Sequence, residues 1–345
     1  MRKVTSLFAA AALTVGGIHF AAGIKDAAAQ DYKDEYGVST VVPEPFPWGI
    51  AAETWADLVA ERTDGRINLR VHPGAELVQG NQTREFTALR RGSIDMAVGS
   101  TINWSPQIKE LNLFSLPFLM PDYEAIDALT QGEVGEDLFN ILEENGVVPL
   151  AWAENGFREL TNSQHEVRTP EDLEGLKIRV VGSPLFNDIF TTLGANPTQM
   201  SWADAQPALT SGAVDGQENP LTIYTNLNMH ELGQDYVTLW GYVADPLIFA
   251  VNPDVWNSFT EEDQKIVREA AVEAGQVGID AARDGLVPPD TSLIEEIEAE
   301  GVEVTRLSEE ERQAFVEATR PVYDEWAQEI GEDLVRKAEE AIENR

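Results

Sequence analysis

Short apolar runs with β-branched residues alternate along this chain with longer segments whose apolar positions recur at helical spacing. Residues 36–42, 67–71 and 95–98 read as strands. Ile50, Trp55, Leu58 and Val59, and then a segment around 83–91, read as helices between them. The stiff loop 43–48, PEPFPW, leads into the first helix, and Gly65 lies just past its end. Residues 111–120 are apolar but interrupted by Pro117. Helices are predicted at 123–129 and 135–145, a strand at 147–153, and a turn at 154–158 that delivers Arg158. A short helix start at 169–172 precedes Ile178, Val180 and Val181, which with Lys177 and Arg179 form a strand whose side chains alternate faces. Gly182 breaks this strand, Ser183 and Pro184 suit a helix start, and Gly194 suits its stop.

Ser201, Trp202, Ala203 and Asp204 have the pattern of a second capped helix, and residues 215–220 (DGQENP) read as a polar segment closed by proline. A helix to about Met229 and strands at 236–239 and 247–252 follow. From Thr260 to about Asp284 the spacing predicts one long helix. After Pro288 and Pro289 come a short strand at 303–305, a helix capped by Ser308, and a last helix at 331–344 with Leu334, Ala338 and Ile342 on one face. Repeated strand–helix alternation predicts an α/β fold with helices on both faces of its sheets. No flexible linker interrupts the pattern, which favours lobes woven together by several crossings.

Composition narrows the function. Arg2 and Lys3, an apolar run over 4–22 and the small residues Ala27, Ala28 and Ala29 have the form of a secretory signal, so residues 1–29 are expected to be removed and the protein to reside in the periplasm. Cysteine is absent, which leaves no disulfides and no cysteine for a lipid anchor. With 24 basic against 60 acidic residues and a formal net charge of −36, the chain is not expected to bind nucleic acid. Screening between exposed charges still lets local arginines hold an anion. Beyond the leader the only histidines are His72, His165 and His230. No HExxH, GxSxG or phosphate-loop motif occurs, so neither an enzyme nor a metal or other cofactor is expected. Asp215 and Glu218 would be the pair for the alternative of a secreted hydrolase.

Arg179 lies near the end of a strand that precedes a helix start, where open α/β sheets gather ligands and free helix N–H groups favour anions. The segments GLKIRV, LGANPTQMSW and SGAVDGQENP, in this order, resemble the extracytoplasmic solute-binding proteins of tripartite ATP-independent periplasmic (TRAP) transporters. The resemblance extends upstream through PGAEL at 73–77, GSID at 92–95, LPF at 116–118 and NGFR at 155–158, and downstream to TEED at 260–263. It implies a periplasmic-binding-protein fold of type II, with two lobes, a ligand cleft between them and a long lobe-spanning helix. Residues 30–155 and 244–284 would form one lobe, and 156–243 and 285–345 the other. It also implies that Arg179 binds the ligand carboxylate through a salt bridge, assisted by Arg158 and Asn219, with Trp202 over the solute. Trp240 and Tyr242 would line the pocket, and Glu44, Gln82, Ser100 and Asn103 would act as polar selectors. The expected partners are a small organic acid and TRAP membrane permease subunits, with a ligand-binding module of a signalling receptor as the alternative. Tryptophans 48, 104, 152, 202 and 240, in or beside loops, favour a sugar acid first, a C4-dicarboxylate second and an aromatic or zwitterionic acid third.

Overall fold

The computed structural model describes Tyr32–Arg345; the leader reading lies outside the described residues. Eleven strands are present among the described residues: β1 (Tyr36–Ser39), β2 (Leu69–His72), β3 (Met96–Ser100), β4 (Val148–Phe157), β5 (Glu159–Asn162), β6 (Lys177–Val180), β7 (Asn196–Gln199), β8 (Gly216–Asn219), β9 (Tyr236–Leu239), β10 (Ala244–Val251) and β11 (Glu303–Arg306). They form two sheets, ordered β2-β1-β3-β10-β4 and β11-β9-β5-β8-β6-β7. In the first, β1 runs parallel to β2 and β3, while β10 is antiparallel to β3 and β4. In the second, β6 is parallel to β7 and β8, and β5 is antiparallel to β8 and β9. Each sheet is the centre of one lobe, as the two-lobe expectation requires.

The chain passes between the sheets through short connections twice. Only Arg158 separates β4 from β5, and residues 240–243 separate β9 from β10. The expected turn at 154–158 is therefore a strand that continues to Phe157. The polar segment at 215–220 is also a strand: β8 lies inside the second sheet with all four residues buried. Its polar side chains find partners inside the protein, so a polar stretch here is buried rather than solvated. The strands β5 and β7 were not expected. β7 is an edge strand carrying Pro197, which cannot donate to a ladder, and its residues are largely exposed.

The helix Glu261–Arg283 packs along β4 and the helix Pro47–Arg62. Thr260 caps it by accepting the Asp263 N–H at 3.1 Å. Two glycines permit the close approach, since a Cβ on Gly275 would lie 2.2 Å from the Trp152 carbonyl oxygen and one on Gly278 2.8 Å from the Ala51 Cβ. At its end Arg283 pairs with Asp127 at 2.7 Å and Glu154 at 2.6 Å, and the chain then passes through the helix Ser292–Ala299 to β11 in the second sheet.

One part of the expected lobe division is corrected. The helix Glu332–Glu343 packs on the helices Tyr123–Thr130 and Glu133–Glu144, on the first-lobe side, where Val335, Ala338 and Ile342 join a core with Ile126, Leu129 and Leu138. Periodicity identifies the apolar face of such a helix but not the surface that receives it.

Candidate ligand-binding site

Between the two sheets lies a cavity of about 30 Å³, lined from the first lobe by Val41, Val42, Trp48, Gln82, Ser100 and Asn103 among others, and from the second by Arg179, Val181, Trp202, Asn219 and Ile223. The crossing strands add Asn155, Arg158 and Asp245. Local sequence explains how several of these are held. Ser100 caps the short helix Thr101–Trp104, accepting the N–H groups of Ile102 and Asn103 at 3.1 and 3.4 Å, and its hydroxyl donates to Asp245. Ser201 caps the helix Trp202–Thr210 by accepting the Asp204 N–H at 3.3 Å, which places Trp202 at the first helical position. Ser183 does not cap the helix Pro184–Thr192 as expected; its hydroxyl bonds to Asn112 and Ser105 of the first lobe instead, at 3.3 Å each.

The two arginines differ in their partners. Arg158 is completely buried, and its Nε and Nη2 grip the Glu218 carboxylate, the latter at 2.9 Å. Nη2 also donates to the Glu218 carbonyl oxygen at 2.7 Å and Nη1 to Asp245 at 3.1 Å, so four of its five N–H groups are engaged. Tyr242 donates its hydroxyl to Glu218 at 2.7 Å. Burial alone would push the Arg158 guanidinium down, but the adjacent charges of Glu218 and Asp245 hold it above the ordinary arginine value. Burial pushes the Asp245 carboxyl up, against the pull of Arg158 and the hydrogen bonds from Ser100 and Asn155.

Arg179 is 1% exposed and has no carboxylate within ion-pairing distance among the described residues. Among the described residues its one hydrogen bond runs from Nη2 to the Met200 carbonyl oxygen at 2.9 Å, and its Nε has no partner. The Trp202 ring centre lies 5.5 Å from the guanidinium carbon. Burial pushes its pKa down to about 10, with Glu218 opposing and Arg158 reinforcing, so it is still a cation at neutral pH. A buried guanidinium with free donors at a cavity is suited to a planar anion such as a carboxylate.

Of the residues singled out from the sequence, Arg179, Arg158, Asn219, Trp202, Gln82, Ser100 and Asn103 meet at this cavity. Asn219 donates its side-chain amide to Gln217, and Gln82 accepts the Trp202 backbone N–H at 3.3 Å, which ties the lobes at the cavity rim. Glu44, Trp240 and Tyr242 do not line it. Glu44 is exposed in the 43–48 loop. Trp240 and Tyr242 belong to the second-lobe core, packed against each other with ring centres 4.4 Å apart and against Phe190. Tyr242 acts on the site only by holding Glu218. Trp104 is likewise core, donating to Glu85 at 3.0 Å. Asn155 and Asp245 were missed as site residues. The signal for Asp245 was available, since it is the lone acid in the apolar run 243–251.

Residues 38–329 match the family model for bacterial extracellular solute-binding proteins, family 7. The chain is 32% identical to the 2,3-diketo-L-gulonate-binding periplasmic protein of Escherichia coli K12 over 84% of its length and 87% of that protein. Its fold is similar to a TRAP periplasmic solute-binding protein of Ralstonia eutropha H16 crystallised with (S)-2-hydroxy-2-methyl-3-oxobutanoate, at a TM-score of 0.90 and 61% identity, covering 91% of this chain and all of that one. A TRAP periplasmic solute-binding protein of Polaromonas bound to D-erythronate superposes at a TM-score of 0.81 with 27% identity, covering 89% and 98%. On the match of the family model over most of its length and the two-lobed fold with its cavity, this chain belongs to family 7 of the bacterial extracellular solute-binding proteins, those that serve TRAP transporters, and is a binding protein rather than an enzyme.

Proposed function

We propose that this protein captures a short organic monoacid in the periplasm, with the acid's carboxylate docked on Arg179, and delivers it to TRAP membrane permease subunits. The observation that carries this reading is the buried Arg179 guanidinium, which lacks a carboxylate partner among the described residues. Arg158 cannot serve as an equal second anchor, because Glu218 and Asp245 already occupy it. The two arginines and two carboxylates sum to zero charge at the cavity. One ligand carboxylate is therefore tolerated more readily than two, which counts against a dicarboxylate. The apolar lining of Val41, Val42, Ile102, Val181 and Ile223 favours an acid with fewer hydroxyls than the sugar acid expected from the five tryptophans, of which only Trp48 and Trp202 line the cavity. The R. eutropha relative holds such a short acid.

Calorimetric titration with (S)-2-hydroxy-2-methyl-3-oxobutanoate, D-erythronate, D-glucuronate and succinate tests this. The short monoacid should bind most tightly, and Arg179→Ala should weaken it at least about 30-fold, since removing one partner of a buried charged hydrogen bond costs roughly 2–5 kcal/mol. Unchanged binding in the variant, or preference for a neutral sugar, would remove the anchor from the proposal.

A further inference from the structure

The cavity contains a second unpaired group, and it is an acceptor. Asn155 is 2% exposed and lines the cavity. Its orientation follows from its partner, because the Asp245 carboxylate can only accept, so Asn155 must present Nδ2 to it, at 2.8 Å. Its Oδ1 is then left buried without a partner among the described residues. The backbone there is specialised as well. In the pairing of β4 with β10, Asp245 faces Gly156 and Pro246 faces Glu154, so Asn155 is the extra residue of a β-bulge. Gly156 follows it at φ 121°, in the region that favours glycine. Bulges re-aim side chains and recur beside functional sites. A buried acceptor without a donor is unfavourable, and a ligand that supplies the donor is selected over one that does not.

We propose that Asn155 accepts a hydrogen bond from a hydroxyl of the bound acid, so that the site selects a compact hydroxy acid over the same acid lacking the hydroxyl. This rests on the carboxylate docking at Arg179. Arg179 supplies donors to the anion and Asn155 supplies the acceptor, and both line the same cavity, so one ligand meets the two together. Asp245 holds Asn155 in this orientation, with Ser100 and Arg158 occupying its other valences.

The test compares 2-hydroxy-2-methylpropanoate with 2,2-dimethylpropanoate, in which a methyl group replaces the hydroxyl, by calorimetry on the wild-type protein, Asn155→Ala and Arg179→Ala. The hydroxy acid should bind wild type at least tenfold more tightly, and Asn155→Ala should bring that ratio close to one, whereas Arg179→Ala should weaken whichever of the two acids binds. A crystal structure of wild type with 2-hydroxy-2-methylpropanoate provides a readout that does not depend on a variant folding: the hydroxyl should lie about 2.6–3.2 Å from Asn155 Oδ1. Equal affinities in wild type, an unchanged ratio in Asn155→Ala, or a hydroxyl placed against another residue would overturn the role of Asn155 while leaving the Arg179 anchor intact. If neither acid binds wild type, the anchor itself fails, and the inference fails with it.

Discussion

Arg158 and Arg179 show how far a single residue's neighbours decide its role. Both are buried cations, yet one is neutralised by protein carboxylates and the other has no carboxylate partner among the described residues. Glu85 makes the same point for an acid. It is completely buried, accepting hydrogen bonds from Ser39 at 2.6 Å and Trp104 at 3.0 Å, and burial pushes its carboxyl from 4.5 up to about 7 despite them. The folded protein thus keeps this proton up to about pH 7, whereas the unfolded chain releases it near 4.5. Between those values the folded state binds more protons, so the contribution of Glu85 to stability falls as pH rises. Glu85→Gln should therefore gain on wild type across pH 4.5 to 7, by up to about 3 kcal/mol at the upper end. Urea unfolding of both proteins across that range checks this, and a difference that does not change with pH would refute it.

At the level of elements, the site depends on how closely the long helix Glu261–Arg283 sits on β4, the strand that continues through Asn155 to Arg158. A side chain at Gly275 has no room, because its Cβ would meet the Trp152 carbonyl oxygen. Gly275→Ala should force the helix outward and destabilise the protein by about 1–3 kcal/mol, the usual effect of overpacking. It should also weaken acid binding by displacing β4. Thermal unfolding together with calorimetry separates the two effects, and a variant as stable as wild type would show that the contact yields without cost. Capping at Thr260 and Ser308 was readable locally, because each depends on residues three positions apart. The bulge at Asn155 was not, because it is defined by the register with β10.

For the whole molecule the dominant property is a net charge of −36. Self-repulsion of this size destabilises the compact state, and the screening length shrinks from about 30 Å at 0.01 M salt to about 3 Å at 1 M. The melting temperature should rise with sodium chloride over that range. An anionic ligand must also approach through a negative field, so its association rate constant should increase with salt while dissociation from the buried site changes little. Stopped-flow measurement at several salt concentrations decides this; an association rate that falls with salt would mean that a positive local field steers the acid.

What the sequence determined by itself is whatever acts over a few residues: most of the alternation of strands and helices, the caps at Ser201, Thr260 and Ser308, the glycine stops, and the placement of Arg179 before a helix start. Only the tertiary structure decided which polar groups remain free. The counter-ions of Arg158 come from Glu218 and Asp245, 60 and 87 residues further along the chain. The same distance hides the role of β8, whose polar residues resemble a solvated turn until Arg158, Thr161 and Tyr242 are placed around them. Trp240 and Tyr242 show the converse, since aromatic residues next to a crossing suit a pocket or a core equally well. Their choice was made by Phe190 and Phe315 packing against them from other elements. Charge pairing and burial are settled by proximity in space, and a local stretch of sequence does not contain that information.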